Sequence, residues 1–264
     1  MPVVVLAEHA TSPRPYEASA EVIADLPSAL EALRETLPPG GGWDLAAWAG
    51  QGGSFKSRAR ALLAEASRAR GQKWVPPHRV VEIARSVFPR QAVAAVDSGA
   101  HALAVAAFWD CYEPKGCLCS GSLAAPGYAL SAAVAAKLTL PDRPVLAFLG
   151  DGGFLRSVAD LATAVWRRVP LIAVVFTDAN LSLSRIQQEQ KGYAPEGVSL
   201  GTMEIPKLAE SLGAFGTEVE DEESLRSALK DAMGTSLPAV ISVRIRPAGY
   251  RRMLEILRGK AGEK

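Results

Sequence analysis

The sequence contains few cysteines and no surplus of either charge. Its three cysteines, Cys111, Cys117 and Cys119, fall within one short segment, and an odd, clustered set argues against a disulfide framework. Because no fourth ligand for zinc lies nearby, we expect reduced thiols that are buried or half-buried. The 29 lysines and arginines nearly cancel the 28 aspartates and glutamates, so no strong field would attract nucleic acid or an anionic membrane. Binding partners must therefore be recognised at local sites.

Long apolar runs are also missing. The longest uncharged stretch, residues 116–136, is rich in alanine and is interrupted by serines and by Pro126, so it is too weakly apolar to span a membrane. The apolar run at the N-terminus ends after six residues and has no basic leader, unlike a secretory signal. We therefore expect a cytoplasmic protein.

The pattern that is present is an alternation of amphipathic helices with short, continuous apolar runs. Strands are predicted at Ala92–Val96, Val145–Leu149, Leu171–Phe176, Phe215–Val219 and Ala239–Val243. Helices are predicted at Arg79–Phe88, His101–Trp109, Gly127–Leu138, Phe154–Arg167, Ile205–Leu212, Glu223–Met233 and Tyr250–Leu257. Strands without polar alternation are typical of a sheet covered by helices on both faces. The sequence therefore predicts a three-layer α/β/α fold with a mainly parallel central sheet.

The clearest boundary in the chain is the helix-breaking segment Pro38–Gly42. Before it, residues 1–37 contain a predicted strand, Val3–Leu6, and a predicted helix, Asp25–Leu37. Residues 38–76 are predicted to be a linker with one basic helix, Ser54–Arg70, whose charges form either a solvated face or an anion-binding surface. Residues 77–264 then form the main domain.

Two acidic residues directly follow neighbouring predicted strands. Asp151 comes after Val145–Leu149, and Asp178 comes after Leu171–Phe176. A right-handed crossover through the intervening helix brings these strand ends to the same edge of the sheet, where open α/β folds bind ligands. We therefore expect the two carboxylates to converge.

Glycines surround the first of these carboxylates. Gly150, Gly152 and Gly153 flank Asp151 at the start of a helix, where backbone N–H groups and the helix dipole favour a phosphate. Two carboxylates beside a phosphate suggest a hard divalent cation, most plausibly Mg²⁺. The alternative is that Asp151 only caps the helix and Asp178 only stabilises a turn.

The same residues carry a resemblance to a known family. The segments Gly150-Asp151-Gly152 and Thr177-Asp178-Ala179-Asn180, separated by 24 residues, resemble the metal and diphosphate motif of thiamin diphosphate enzymes. Flanking segments agree in order and spacing: Val96–His101, Gly127–Ala133, Arg143–Val145, Leu181–Ser184 and Gln187–Gln190. From about Pro77 to Gly259 the chain is similar to the C-terminal domain of the acetolactate synthase and benzoylformate decarboxylase group.

The resemblance implies thiamin diphosphate and Mg²⁺ as cofactors and a set of residues that bind them. The metal ligands would be Asp151, Asp178 and the backbone carbonyl of Asn180. The cofactor-binding positions would be Ser98, Gly99, Ala100, His101, Pro126, Gly127, Gly150, Asp151, Gly152, Gly153, Asn180, Leu181 and Ser182. His101 has a second interpretation, since a histidine at a helix start often satisfies only local backbone groups.

Four positions depart from the family pattern, of which Ser131, where proline is frequent, should be harmless at the start of a helix. Thr177 and Asp178 stand where asparagines are common, and the added negative charge of Asp178 should strengthen metal binding. Pro126 stands where a large apolar side chain usually wedges the cofactor into its bent conformation, and proline has less reach. This last departure bears on catalytic competence.

The resemblance implies a domain or subunit of a 2-oxoacid decarboxylase or carboligase, with residues 1–37 as a remnant of the family's middle domain. The family's pyrimidine-binding domain, with its activating glutamate, has no counterpart in these 264 residues. We therefore expect a partner that carries this domain, and a homodimer through the diphosphate domains. No catalytic residue is assigned.

Three other functions compete with this interpretation. A non-catalytic cofactor-binding or assembly protein would explain both Pro126 and the missing domain. The β subunit of a ferredoxin-linked oxidoreductase would need four cysteines for its cluster, but the sequence has three. A nucleotide-binding Rossmann protein would need a Gly-x-Gly-x-x-Gly segment after a strand, which the sequence lacks.

Overall fold

The chain divides into two compact units, Met1–Gly53 and Ser54–Lys264. The computed structural model describes residues 3–9, 17–37, 44, 46–47, 57–63 and 74–257. In the first unit, β1 (Val4–Ala7) and β2 (Ala20–Ile23) pair in parallel, and α1 (Leu26–Thr36) follows. Asp25 caps α1, since its carboxylate accepts the backbone N–H of Ser28 at 3.0 Å. The sequence predicted β1 and α1 to within about one residue but did not predict β2.

The described part of the second unit contains a six-stranded sheet in which all strand pairs are parallel. Its strands are β3 (Val93–Val96), β4 (Cys117–Cys119), β5 (Val145–Gly150), β6 (Ile172–Thr177), β7 (Phe215–Val219) and β8 (Ala239–Arg244). They lie in the order β4-β3-β5-β6-β8-β7. Its helices are α2 (Pro77–Val87), α3 (Ala100–Phe108), α4 (Tyr128–Thr139), α5 (Asp151–Trp166), α6 (Ser182–Gln190), α7 (Ile205–Ser211), α8 (Glu222–Met233) and α9 (Ala248–Leu257).

Helices cover both faces of this sheet. On one face, Phe148 and Phe176 belong to an apolar cluster that includes residues of α2, α3, α8 and α9. On the other face, Leu149 and Val175 pack with residues of α4, α5 and α7. Because successive strand residues point to opposite faces, only a sheet covered on both sides requires continuous apolar runs. The predicted three-layer α/β/α fold with a parallel central sheet is confirmed.

The sequence did not predict β4 or α6. The strand β4 has only three residues, Cys-Leu-Cys, and α6 has a single buried residue, Ile186. Neither segment therefore shows the apolar periodicity that predicts an element. Of the predicted helix Ser54–Arg70, residues 57–63 are helical and the others lie outside the described residues.

The expected environment of the cysteines was wrong. All three side chains, Cys111, Cys117 and Cys119, are exposed, because β4 is an edge strand of the sheet and the loop before it faces solvent. In the described part of the chain, each helix is too short or too polar to cross a bilayer.

The aromatic centre of the sheet should dominate the stability of the second unit. Phe148 is fully buried, and its ring centroid lies 5.5 Å from that of Trp109 and 6.3 Å from that of Phe176. We expect Phe148→Ala to lower the free energy of unfolding by about 3–5 kcal/mol, because it leaves a cavity among these rings. Denaturant titration of the two proteins measures this difference.

Leu123 provides the control, because its side chain is 89% exposed. The Leu123→Ala variant should change the free energy of unfolding by less than about 0.5 kcal/mol. Equal losses in the two variants would contradict the assignment of the core.

Candidate functional site

The carboxyl ends of β5 and β6 lie side by side, because these strands are hydrogen-bonded neighbours in parallel register. Asp151 begins α5 directly after β5, and Asp178 follows β6. One oxygen of the buried Asp151 carboxylate accepts the N–H groups of Asp178 and Ala179, at 3.2 and 2.7 Å. The other oxygen accepts the N–H of Gly152 at 2.9 Å. The two loops therefore converge, as the sequence predicted.

The loop after β6 is held by the carboxylate of Asp178. One of its oxygens accepts the N–H of Asn180 at 3.1 Å, and the other accepts a hydrogen bond from the hydroxyl of Ser182. Asn180 in turn donates its side-chain amide to the carbonyl of Asp178 at 2.7 Å and accepts from Arg185 at 3.1 Å. This arrangement fixes the turn into α6 and keeps the carboxylate of Asp178 next to that of Asp151.

Burial raises the pKa of both carboxyl groups. For Asp151 the backbone N–H groups that it accepts act in the opposite direction. Burial raises the pKa of Asp178 to about 6, the Ser182 hydroxyl opposes this rise, and the charge of Asp151 adds to it. A cation beside the two groups would favour their ionised forms.

The first turn of α5 has no room for side chains at its glycines. A Cβ atom at Gly153 would lie 1.9 Å from Oδ2 of Asp97, and a Cβ atom at Gly152 would lie 2.6 Å from Cδ2 of Leu181. Both distances are far below van der Waals contact. The turn therefore consists of bare backbone at the helix N-terminus, the arrangement that binds phosphate in other folds.

Asp97 is a part of the site that the sequence analysis missed. It follows β3, is 2% exposed, and accepts the N–H groups of Gly127 and Tyr128 at 2.8 and 3.0 Å. Burial raises the pKa of Asp97, and these N–H groups act in the opposite direction. Its other oxygen lies against Gly153, so Asp97 holds the start of α4 against the start of α5. The sequence did contain a signal for this role, because Asp97 directly follows a predicted strand, as Asp151 does.

His101 lies in the first turn of α3 and is 2% exposed. Burial lowers its pKa to about 4, so the imidazole is neutral at pH 7. Its Nε2 atom is buried and has no hydrogen-bond partner among the described residues. Local backbone contacts therefore do not account for both nitrogens of the ring.

These groups surround a cavity of about 200 Å³. Of the residues predicted from the sequence, the following line it: Ser98, Gly99, Ala100, His101, Pro126, Gly150, Asp151, Gly152, Gly153, Asp178, Asn180, Leu181 and Ser182. Gly127 does not line it, since its N–H is directed to Asp97. The lining residues that the sequence analysis missed are Arg156, Phe176, Leu183, Ser184 and Tyr250. A larger cavity, about 430 Å³, lies between β7 and α8 and contains none of the predicted site residues.

The fold and this cavity define a class of protein, the open parallel α/β domain that binds its ligand at the carboxyl edge of the sheet. Comparison with known families identifies the ligand. The family model of the thiamine pyrophosphate enzyme C-terminal TPP binding domain matches residues 97–243. Because this match covers more than half of the chain, the chain belongs to that family and is a thiamin diphosphate-binding domain of the acetolactate synthase type.

Individual relatives agree with this assignment. Acetolactate synthase from Bacillus subtilis is 32% identical over 167 residues, which cover 63% of this chain and 29% of the relative. The catabolic acetolactate synthase of Raoultella terrigena is 29% identical over 244 residues, or 90% of this chain and 42% of the relative. The chain thus spans less than half the length of these relatives.

A solved structure shows the same fold. The thiamine diphosphate-dependent 4-hydroxybenzoylformate decarboxylase of Rhodococcus jostii RHA1 superimposes with a TM-score of 0.69 at 21% identity. The superposition covers 87% of this chain and 41% of that protein.

The close contact between Gly153 and Asp97 can be tested directly. We expect Gly153→Ala to lower the free energy of unfolding by about 1–3 kcal/mol, because the added methyl group must displace the Asp97 carboxylate or the start of α5. Thermal and denaturant unfolding measure the loss. Gly121→Ala is the matched control, since a Cβ atom there would meet nothing within 4 Å. Unchanged stability of Gly153→Ala, or an equal loss in the two variants, would contradict the packing argument.

Proposed function

We propose that this chain is the thiamin diphosphate- and Mg²⁺-binding domain or subunit of a 2-oxoacid decarboxylase or carboligase resembling the acetolactate synthase large subunit. The observation that carries the proposal is the convergence of Asp151 and Asp178 beside the bare first turn of α5. A small 2-oxoacid is the proposed substrate, and the cytoplasm is the proposed location.

The two carboxylates suit magnesium. In the described part of the chain, no group of three or more His, Cys, Asp or Glu side chains could hold a metal ion, so Asp151 and Asp178 form a two-carboxylate set. Mg²⁺ binds in this manner, through one or two carboxylates together with phosphate oxygens. Its charge would also offset the mutual repulsion of the two buried groups.

The backbone of Asn180 supports its role as the third protein ligand. Asn180 faces Ser199 in an isolated antiparallel bridge whose hydrogen bonds, at 2.7 and 2.9 Å, are made by the flanking residues. In such a pair the N–H and C=O of Asn180 itself point away from Ser199. The N–H of Asn180 reaches the carboxylate of Asp178, so its carbonyl lies on the same side as that carboxylate.

The remaining site residues would hold the diphosphate. The first turn of α5 at Gly152 and Gly153 would face its oxygens with the positive end of the helix dipole, while the N–H of Gly152 is donated to the carboxylate of Asp151. The segment from Ser98 to His101 closes the opposite side of the cavity, and the neutral imidazole of His101 contributes its unpartnered nitrogen. Leu181 and Ser182 complete the wall after β6.

When bound, thiamin diphosphate supplies the nucleophilic carbon that reacts with the carbonyl of a 2-oxoacid. This chain's residues orient the cofactor and exclude water from its diphosphate end. Among the described residues, the carboxylates that line the cavity are Asp151 and Asp178, and both are assigned here to the metal, so the described lining has no further carboxylic acid for the aminopyrimidine ring. We therefore assign that acid to a pyrimidine-binding domain outside these residues.

The proposed domain and subunit organisation follows from this assignment. Residues 1–37 would be the remnant of a middle domain, residues 38–76 a linker and helix, and residues 77–264 the diphosphate domain. Two diphosphate domains would form a homodimer, with a partner subunit that contributes the pyrimidine domain. A non-catalytic cofactor-binding protein is the second candidate, because Pro126 lines the cavity at a position where the family usually has a larger apolar side chain.

Binding of the cofactor should depend on the metal and on Asp151. We expect Asp151→Ala to weaken binding of thiamin diphosphate by at least about 100-fold in the presence of Mg²⁺, because one of two charges that hold the cation is lost. Calorimetric titration with and without Mg²⁺ measures this effect. Equal affinity under both conditions would contradict the metal bridge.

Two other substitutions serve as controls for this experiment. Asp160→Ala removes a carboxylate from the same helix that does not line the cavity, so it should leave the affinity unchanged. Asp178→Asn should retain binding, since an amide oxygen still coordinates, whereas Asp178→Leu should abolish it. Equal damage by asparagine and leucine would argue that Asp178 acts only by fixing the loop.

Activation of the bound cofactor should require the missing domain. We expect deuterium exchange at C2 of thiamin diphosphate to proceed at close to its uncatalysed rate on this chain alone, because the cavity offers no acid to the aminopyrimidine. Addition of a pyrimidine-domain protein should accelerate it, as measured by NMR. Fast exchange by the chain alone would place the activating acid within these residues, and slow exchange with every partner would favour the non-catalytic candidate.

A further inference from the structure

Tyr250 lies at the cavity of the site but has no polar partner there. It comes from α9, is 3% exposed, and lines the same cavity as Asp151 and Asp178. Its hydroxyl makes no hydrogen bond to any residue in the described part of the chain. Because the hydroxyl has no protein partner, an acceptor bound in the cavity could take its hydrogen bond without displacing another protein group.

The position of this hydroxyl is fixed by packing. The ring of Tyr250 belongs to the same apolar cluster as Phe176, Ile186 and Met253. Its helix contacts α3, which carries His101, and α6, which follows the Asp178 loop. The ring is therefore anchored in the core while the residue reaches the cavity, so the hydroxyl is held in place before any ligand binds.

The surroundings also keep the phenol protonated. Burial raises the pKa of Tyr250 well above its ordinary value, and the charges of Asp178 and Asp151 add to this rise. At neutral pH the group is therefore a hydrogen-bond donor. Both neighbouring carboxylates already accept N–H or hydroxyl groups from their own loops.

We propose that Tyr250 donates a hydrogen bond to the diphosphate of the bound cofactor, next to the metal. This inference rests on the proposed function. The acceptor must be an oxygen-bearing group that lies close to Asp151, Asp178 and the first turn of α5, and a diphosphate bound as proposed above would meet these conditions. The C-terminal helix α9 thus becomes part of the binding site.

The test compares Tyr250→Phe with the unchanged protein in calorimetric titrations with thiamin diphosphate and with inorganic pyrophosphate, both in the presence of Mg²⁺. We expect both ligands to bind at least about ten-fold more weakly to the variant, because a hydrogen bond to a charged group is lost. The unfolding temperature of the ligand-free protein should not change, since the hydroxyl has no protein partner. Tyr193→Phe is the matched control, at a side chain that is 64% exposed.

The possible outcomes separate this inference from the proposed function. If the unchanged protein binds neither ligand, the proposed function fails and the role of Tyr250 fails with it. If the unchanged protein binds both ligands and Tyr250→Phe binds them equally well, only the inference fails. Weaker binding of thiamin diphosphate with unchanged binding of pyrophosphate would also overturn it, because the contact would then lie elsewhere on the cofactor.

A second variant separates the loss of the hydroxyl from an effect on folding. Tyr250→Leu removes the hydroxyl and also disturbs the apolar cluster, so it should lower the unfolding temperature of the ligand-free protein. If the hydroxyl carries the contact, its affinity for pyrophosphate should fall by the same factor as in Tyr250→Phe. Loss of affinity in proportion to the fall in unfolding temperature would instead show a purely structural role.

Discussion

The site depends on one buried carboxylate that holds two strand ends together. Asp151 accepts backbone N–H groups from its own helix and from the loop after the neighbouring strand, and in this way the loop of Asp178 is fixed against α5. The side chain of Leu181, from the loop after β6, also packs against Gly152 at the start of α5. The parallel register of β5 and β6 brings the two loops close together, and the hydrogen bonds to the Asp151 carboxylate fix their final positions.

A second carboxylate performs the same task one strand away. Asp97 ties the start of α4 to the end of β3 and leaves no room for a side chain at Gly153. Three consecutive loops at the carboxyl edge of the sheet are thus connected through two buried acidic groups. The close packing explains why Gly153, in the first turn of α5, must be glycine.

Buried carboxylates in such proximity are unfavourable by themselves. Desolvation raises the pKa of Asp97, Asp151 and Asp178, and in each case backbone or hydroxyl donors compensate only in part. A structural domain would gain stability from apolar residues at these positions. A bound cation beside Asp151 and Asp178, as proposed above, would offset part of this cost. Tyr250 and His101, each with an unpartnered polar group at the cavity, fit the proposed diphosphate.

The sequence alone determined the parallel α/β/α fold and the central strands to within about one residue, and its glycine-acid-glycine turn and the resemblance to a known family pointed to most of the residues that line the cavity. These features are local, because a continuous apolar run or a glycine-acid-glycine turn before a helix is visible along the chain. The edge strand β4, the helix α6, the roles of Asp97 and Tyr250, and the exposure of the cysteines were decided only by the tertiary structure. Each depends on which distant segment packs against the residue: Tyr250 lies 99 positions after Asp151 in the chain, yet the fold brings both to one cavity.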